Sequence, residues 1–535
     1  MMDVPLLTTS VLRHAALYHS ETEIVSRLAD GQIHLTTYAE SWLRCHRLAN
    51  ALIALGLGPG ERVGTLAWNS HRHFELYYGV AGAGMVCHTI NPRLFPEQII
   101  HIINHASDAV LFVDPGFVAL LEDLADRLPP LRAVVVLTDA GRMPQSEKLS
   151  PLLCYEELLA GQTDQFAWPE LDENAACGMC YSSGTTGKPK GVLYSHRSTV
   201  LHAMAVCLPD VFSLSARSVA MPVVPMFHVN AWGLPYAAPI TGTKLVMPGP
   251  KLDPASLHEL IETQEVTFTA GVPTVWMTLL DWMSANGRSF SSLERVVIGG
   301  SACPPVMVER FQAYGVQVVH GWGMTETSPL GVASVPKARH RGLAGEALTT
   351  LLSKQGRPVF GMEFRVKDPA GKEVPRDGVT FGNLSVRGPW VASAYFGTEE
   401  DSVFADQGWL ETGDVVTMDG DGFIQVVDRT KDLVKSGGEW ISSIELENIA
   451  CGHPAIREAA VVAYPDERWG ERPVLVAVLR NGASLTQEEM ITFYKGKVAR
   501  LCIPDRLVVV EELPHTATGK LKKSRIREML QTAQR

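Results

Sequence analysis

Residues Tyr181 to Val192, Y-S-S-G-T-T-G-K-P-K-G-V, crowd three glycines, four serine or threonine hydroxyls and two lysines between two apolar runs. Backbone N–H groups, hydroxyls and ammonium groups offered together suit polyphosphate oxygens, and Gly184, Gly187 and Gly191 permit backbone shapes that a Cβ would block. The string is not a Walker A loop. That loop needs G-x-x-x-x-G-K-[ST], whereas Gly184 and Gly187 stand too close and Pro189 replaces the metal-binding hydroxyl. Six further strings follow in order: P-M-F-H-V (Pro225 to Val229), G-G-S-A (Gly299 to Ala302), G-W-G-M-T-E-T-S-P (Gly321 to Pro329), Thr412-Gly413-Asp414, D-R-T-K-D-L-V-K-S-G-G-E-W-I-S (Asp428 to Ser442) and P-H-T-A-T-G-K (Pro514 to Lys520).

Together these strings resemble the acyl-adenylate-forming superfamily of acyl-CoA synthetases, carrier-protein adenylation domains and firefly-type luciferases. The resemblance implies a reaction in two halves. A carboxylate attacks the α-phosphorus of ATP and expels pyrophosphate, and a thiol then takes the acyl group while AMP departs. Such chemistry needs positioning and charge neutralisation more than a protein nucleophile.

By that resemblance, Ser182, Ser183, Gly184, Thr185, Thr186, Gly187 and Lys188 hold the β- and γ-phosphates, and Lys190 either helps or supports the loop. Thr325 contacts the α-phosphate, and Glu326, with Thr185, lies at the Mg²⁺; one carboxylate plus substrate phosphate oxygens is ordinary magnesium ligation. Asp414 accepts from the ribose hydroxyls and Arg429 reaches the same ribose or its phosphate. Adenine lies between Gly300-Ser301-Ala302 and the segment His320-Gly321-Trp322-Gly323. Lys520 enters between carboxylate and α-phosphate for the first half-reaction, a preorganised contact worth roughly 3 kcal/mol.

The second half-reaction falls to Lys435, Ser436, Gly437, Gly438 and Glu439, with Glu471 as a further participant, and Lys431 is the hinge that exchanges the two surfaces. His228, Trp232, Gly300 and Met324 line the acid pocket. A bulky Trp232 pointing into it favours a short or medium chain, whereas Trp232 packed into the core would not. Within the superfamily the chain is most similar to bacterial medium-chain acyl-CoA ligases and to 3-methylmercaptopropionate CoA ligases. A longer fatty acid and a carrier-protein acceptor are the alternatives, and a catalytically silent nucleotide-binding regulator is opposed by the presence of Lys520, Glu326 and Asp414 together.

These residues need a large scaffold. At 535 residues, with 46% hydrophobic and 20% charged, the chain exceeds one ordinary core and reads as globular. A formal charge of −11 opposes a nucleic-acid surface. No signal peptide is evident. Ser218 to Thr243 lacks charged residues, yet its four prolines mark it as buried strands and turns, not a membrane span. The nine cysteines show no disulfide framework, Cys177-x-x-Cys180 reads as part of an apolar strand, and a cytoplasmic location follows. The basic tail from Lys520 to Arg527 reads, Lys520 apart, as a solvated helix face.

Short β-branched runs such as Ala133 to Leu137 alternate with helix-like segments such as Pro304 to Tyr314, which implies α/β architecture with doubly wound parallel sheets. Residues 356–427 turn Gly-rich and closely stranded, as in an antiparallel or β-barrel subdomain. The expected division is a large AMP-binding part over 1–428, a hinge at 429–431 and a mobile α+β lid over 432–535. CoA is the expected acceptor because no carrier-protein segment is seen, and a homodimer is expected from the relatives.

Overall fold

The computed structural model describes residues 1–182, 188–398, 404, 408–437, 439–515 and 521–532. Two mainly parallel sheets dominate, as the alternating pattern predicts. The first has seven strands in the spatial order Leu152–Cys154, Ala133–Val136, Asp108–Val113, Arg62–Leu66, Val86–Thr89, Ala176–Tyr181 and Gly191–Ser195, all parallel except the last. The second has nine, and its parallel centre runs from Gln317–Gly323 through Arg295–Ile298, Phe268–Gly271, Val219–Pro222 and Lys244–Met247 to Glu23–Arg27. Antiparallel strands close both of its edges.

Central strands such as Ala133–Val136 are buried along their whole length because helices cover both faces. The helices start where the sequence supplies caps. Thr37 accepts from the Glu40 amide at the head of Tyr38–Ala54, and a proline occupies the first turn of Pro96–Ala106 and of Pro305–Ala313.

The stretch 218–243 departs from expectation. Only Val219–Pro222 is a strand, and Leu234–Thr241 is a helix with Pro239 inside it. Pro239 cannot donate to the carbonyl one turn earlier, that of Pro235. The buried hydroxyl of Tyr78 donates to it instead, at 2.7 Å, so the helix keeps its bonding. Cys177 and Cys180 lie buried in a strand, as expected, and burial pushes the Cys177 thiol up to about 12.

The Gly-rich stretch forms an antiparallel meander of Glu363–Lys367, Phe381–Arg387, Leu410–Met418 and Ile424–Arg429. Beyond it stands an α+β unit. Strand Gly470–Leu479 pairs with Ile456–Asp466, Val434–Ser436 and Arg506–Val509, and helices Ser443–Cys451, Gln487–Tyr494 and Lys523–Thr532 pack around them. Among the described residues no helix is long and apolar enough to cross a membrane.

The basic tail is only partly a solvated face: Lys522 and Arg525 are exposed, but two other cations are held. The Lys523 side chain, 11% exposed, pairs with Glu447 at 2.8 Å, and Arg527 pairs with Asp432 at 2.5 Å. A period-based reading of charge misses this because the partners come from residues far away in sequence.

Candidate functional site

The glycine-rich loop joins two antiparallel strands, unlike a Walker A loop, which leads from strand to helix. Tyr181 and Gly191 face each other as the last ladder pair. At the neck, the Ser182 amide donates to the Lys190 carbonyl at 2.9 Å, and the Lys190 amide donates to Ser182 Oγ at 3.4 Å. The Ser182 hydroxyl thus closes the loop in this structure, while Lys188 is exposed. Ser183, Gly184, Thr185, Thr186 and Gly187 lie outside the described residues.

The T-E-T string is carried by the strand Gln317–Gly323, which delivers Thr325–Thr327 as a single 3₁₀ turn. A Cβ on Gly323 would stand 1.6 Å from the Pro329 carbonyl oxygen, so only glycine lets the chain fold back there. Glu326 is 4% exposed. Its Oε1 accepts from the Tyr395 phenol at 2.6 Å, and among the described residues Oε2 accepts nothing. One carboxylate oxygen is therefore left for a hard cation that takes its other ligands from phosphate and water. No three His, Cys, Asp or Glu side chains among the described residues gather as a cage.

Three separate strings meet at Asp414. Antiparallel pairing sets it opposite Arg429, whose Nε lies 2.9 Å from Oδ1, and Trp322 donates from Nε1 to Oδ2 at 2.8 Å. The Asp414 side chain is 4% exposed, so its carboxylate is fixed in direction, and each oxygen keeps a lone pair for a hydroxyl. Gly300 takes φ +83° just past the end of Arg295–Ile298; Ser301 is exposed, and Ala302, Gly321, Gly323 and Met324 are half-buried.

Within the segment expected at the adenine, the His320 ring turns to partners in the core. It is buried, with Nδ1 donating to the Ser353 carbonyl at 2.9 Å, and burial brings its pKa down to about 4, so it stays neutral.

The acid-pocket string has an unusual backbone. Val229, Asn230, Ala231 and Trp232 all take φ between +45° and +55°, and Gly233 follows at +82°. A left-handed turn of L-residues costs roughly 1–2 kcal/mol per residue, so the surroundings must impose it. From the first sheet's side, Cys180 donates to Asn230 Oδ1 at 3.6 Å inside the turn, and two further residues hold the chain that leads into it. Asn69, 3% exposed, donates to the carbonyls of Pro222 and Val224 and accepts from the Met226 amide at 2.7 Å, and Tyr77 donates to the Met226 carbonyl at 2.5 Å. His228, half-buried, enters the turn. Trp232 is 8% exposed, and its indole lies against Gly299, where a Cβ would approach Cη2 to 3.2 Å.

Past Arg429 the chain crosses to the α+β unit. Asp428 is 1% exposed; its Oδ2 accepts from the Ser443 amide at 2.8 Å and from the Ser443 hydroxyl, to which Lys523 also donates. Ser442 donates to the Val427 carbonyl, and Arg527 reaches the Lys431 carbonyl at 3.4 Å. Residues flanking Lys431 are thus clasped by the C-terminal helix. In the hairpin the Lys435 amide donates to Glu471 Oε2 at 2.8 Å, which brings these two predicted residues together. Gly437 takes φ +60° against the Trp469 ring.

Ser436 is fully buried and accepts from Arg472 at 3.0 Å, so its hydroxyl supports the hairpin. The hairpin's Trp440 packs on Phe381 with ring centroids 5.9 Å apart. Lys520, Gly438 and the Glu439 side chain lie outside the described residues. Lys522 sets its ammonium 5.7 Å from the Phe95 ring, near Arg93, which in turn lies over Trp68 and Phe227.

Sequence reading missed Asn69, Tyr395, Asp428 and Lys523. For Asp428 the signal was its place just before Arg429; the other three stand outside the strings.

The AMP-binding enzyme family model matches residues 12–396, and the AMP-binding enzyme C-terminal domain model matches residues 445–520. The chain is 50% identical to the 3-methylmercaptopropionyl-CoA ligase of Ruegeria lacuscaerulensis, over 100% of this chain and 99% of that protein. It is 49% identical to the medium-chain-fatty-acid–CoA ligase of Ectopseudomonas oleovorans, over 99% and 96% of the two chains. An anthranilate CoA ligase in complex with anthranoyl-AMP superposes with a TM-score of 0.88 at 25% identity, covering 99% of each chain. The o-succinylbenzoate CoA synthetase of Bacillus subtilis, bound to its acyl-adenylate, gives 0.80 at 23% identity, with 98% and 99% covered, and shares the fold. With seven motif strings in order and both family regions matched, the chain belongs to the AMP-binding enzyme family.

Proposed function

We propose that this protein is an AMP-forming acid:CoA ligase that activates a short- or medium-chain carboxylic acid, 3-(methylthio)propionate included. The observation that carries the reading is the meeting of distant strings: Trp322 and Arg429 on the buried Asp414 carboxylate, and Glu326 linked through Tyr395 to Lys190 of the phosphate loop. Both the ligases to which the chain is half identical and the pocket support the choice of acid. The Trp232 indole against Gly299 narrows the space beyond His228.

In this reading the carboxylate oxygen bonds to the α-phosphorus as the bond to pyrophosphate breaks. Asp414 and Arg429 orient the ribose, Thr325 and the phosphate loop hold the phosphates, and Lys520 balances charge between the two approaching anions. Glu326 would hold Mg²⁺, which when bound neutralises phosphate charge. Rotation about Lys431 then exchanges Lys520 for the hairpin of Lys435, Gly437, Gly438 and Glu439 with Glu471. The CoA sulfur bonds to the acyl carbon, and AMP leaves with the bonding pair. The contact of Lys522 with Phe95, and of Trp440 with the meander, supports assigning this arrangement to the adenylating half. A homodimer, carried over from the resemblance, and a cytoplasmic place, read from nine cysteines without a disulfide framework, go with the reading.

The test is pyrophosphate release and acyl-CoA formation across a panel of acids with ATP and CoA alone, run with Lys520→Ala. The variant should lose pyrophosphate exchange by about 100-fold yet still convert supplied acyl-AMP. Undiminished exchange would refute the assignment. Pyrophosphate release without acyl-CoA would point to another acceptor.

A further inference from the structure

We infer that Tyr395 is a positioning residue that aims the Glu326 carboxylate and couples it to the phosphate loop. The inference rests on the proposed role of Glu326 toward the metal. Tyr395 lies between the meander strands Phe381–Arg387 and Leu410–Met418, outside every motif string, and it touches both ends of the phosphate machinery. Its hydroxyl donates to Glu326 Oε1 at 2.6 Å, and its ring lies 4.5 Å from the Lys190 ammonium. The main chain repeats the link. The Ala392 amide donates to the Glu326 carbonyl at 2.7 Å, and the Phe396 amide donates to the Gly191 carbonyl at 2.8 Å. Phe404 packs edge-on against the phenol with centroids 5.3 Å apart, which fixes the ring.

The physical reason for such a strut is directional. A glutamate side chain has three rotatable bonds, and a monodentate carboxylate serves a small hard cation only when one lone pair is aimed at it. A phenol on Oε1 stops the carboxylate from spinning and leaves Oε2 as the outward oxygen. The same ring gives Lys190 a cation–π platform, so the lysine at the loop's exit and the metal-side carboxylate are set by one side chain.

Tyr395→Phe removes only the hydroxyl and keeps the ring under Lys190, whereas Tyr395→Leu removes both. ATP binding is measured by calorimetry without acid or CoA, once with Mg²⁺ and once with chelator, beside the unfolding midpoint of each variant. Tyr395→Phe should weaken binding with Mg²⁺ about 10-fold, leave binding in chelator unchanged and keep its midpoint. Tyr395→Leu should also weaken metal-free binding, by about 3-fold. Equal losses with and without Mg²⁺ in Tyr395→Phe, or none in either, would overturn the proposal. Glu326→Gln separates the two layers. If it abolishes the Mg²⁺-dependent increment while Tyr395→Phe does not reduce it, Glu326 keeps its role and Tyr395 loses this one. If Glu326→Gln leaves the increment intact, the reading beneath falls and the proposal with it.

Discussion

Replacing Trp232 with alanine should move the preferred acid to longer chains, by an amount that follows from packing. The indole is 8% exposed and presses its six-membered edge on Gly299, one residue before the Gly300 turn that borders the cleft. Removing it opens space where the acid's distal end would run. Each methylene newly buried is worth roughly 0.8 kcal/mol, or about fourfold in kcat/KM, so three further methylenes should gain about 60-fold relative to the wild type. The same truncation takes contacts from the shortest acids, whose kcat/KM should fall. It also costs stability, by roughly 3–5 kcal/mol, so Trp232→Leu serves as the milder variant. The assay is kcat/KM for straight-chain acids of increasing length at saturating ATP and CoA, with the KM for ATP as the control for intact nucleotide binding. An unchanged chain-length profile with a normal KM for ATP would show that Trp232 only fills the core, and the size argument would fail.

Two further perturbations probe the frame around the site. His202 is 2% exposed, and burial lowers its pKa to about 3 from an ordinary 6.5, while its Nε2 accepts from the Leu330 amide at 3.2 Å. Its folded pKa is depressed, so its neutral form favours the native state above pH 6.5, and stability is lost as pH falls toward 3; between pH 7 and 5 the loss is about 2 kcal/mol. His202→Gln keeps an acceptor without titrating, and urea unfolding at the two pH values should show a gap smaller by about that amount; an equal gap refutes the assignment. Asp428→Asn weakens the clasp on Ser443 and Lys523 across Lys431, and should slow pyrophosphate exchange about 10-fold while sparing thioester formation from supplied acyl-AMP. Equal losses in both half-reactions would show that the clasp serves folding alone.

Much of the fold could be read from the sequence because the parallel strands are short β-branched runs and the helices begin at prolines and hydroxyl caps, signals contained within a few residues of each other. The helix Leu234–Thr241 was not legible. Its prolines argue against helix locally, and the hydroxyl that replaces the missing donor comes from Tyr78. The motif strings named most candidate residues but not their partners. Asp414 and Arg429 are fifteen residues apart in sequence, and only the register of Leu410–Met418 against Ile424–Arg429 sets them face to face. His320 shows the same. Its place in a strand is visible, but alternation alone would put His320 and Trp322 on one face; the strand changes partner after His320, and His320 meets Ser353 while Trp322 meets Asp414.

The left-handed turn at 229–232 shows why the supporting residues escape sequence reasoning. In V-N-A-W only Asn230 takes positive φ readily, and a branched valine and a tryptophan oppose it. Cys180 of the first sheet meets Asn230 inside the turn, Asn69 and Tyr77 fix the chain up to Met226 ahead of it, and Gly233 takes the positive φ that follows. The turn presents His228 and Trp232 only while that frame holds. Asn69 and Tyr77 contribute to the site as firmly as the motif they brace, although no short pattern around either residue would distinguish it from an ordinary core position.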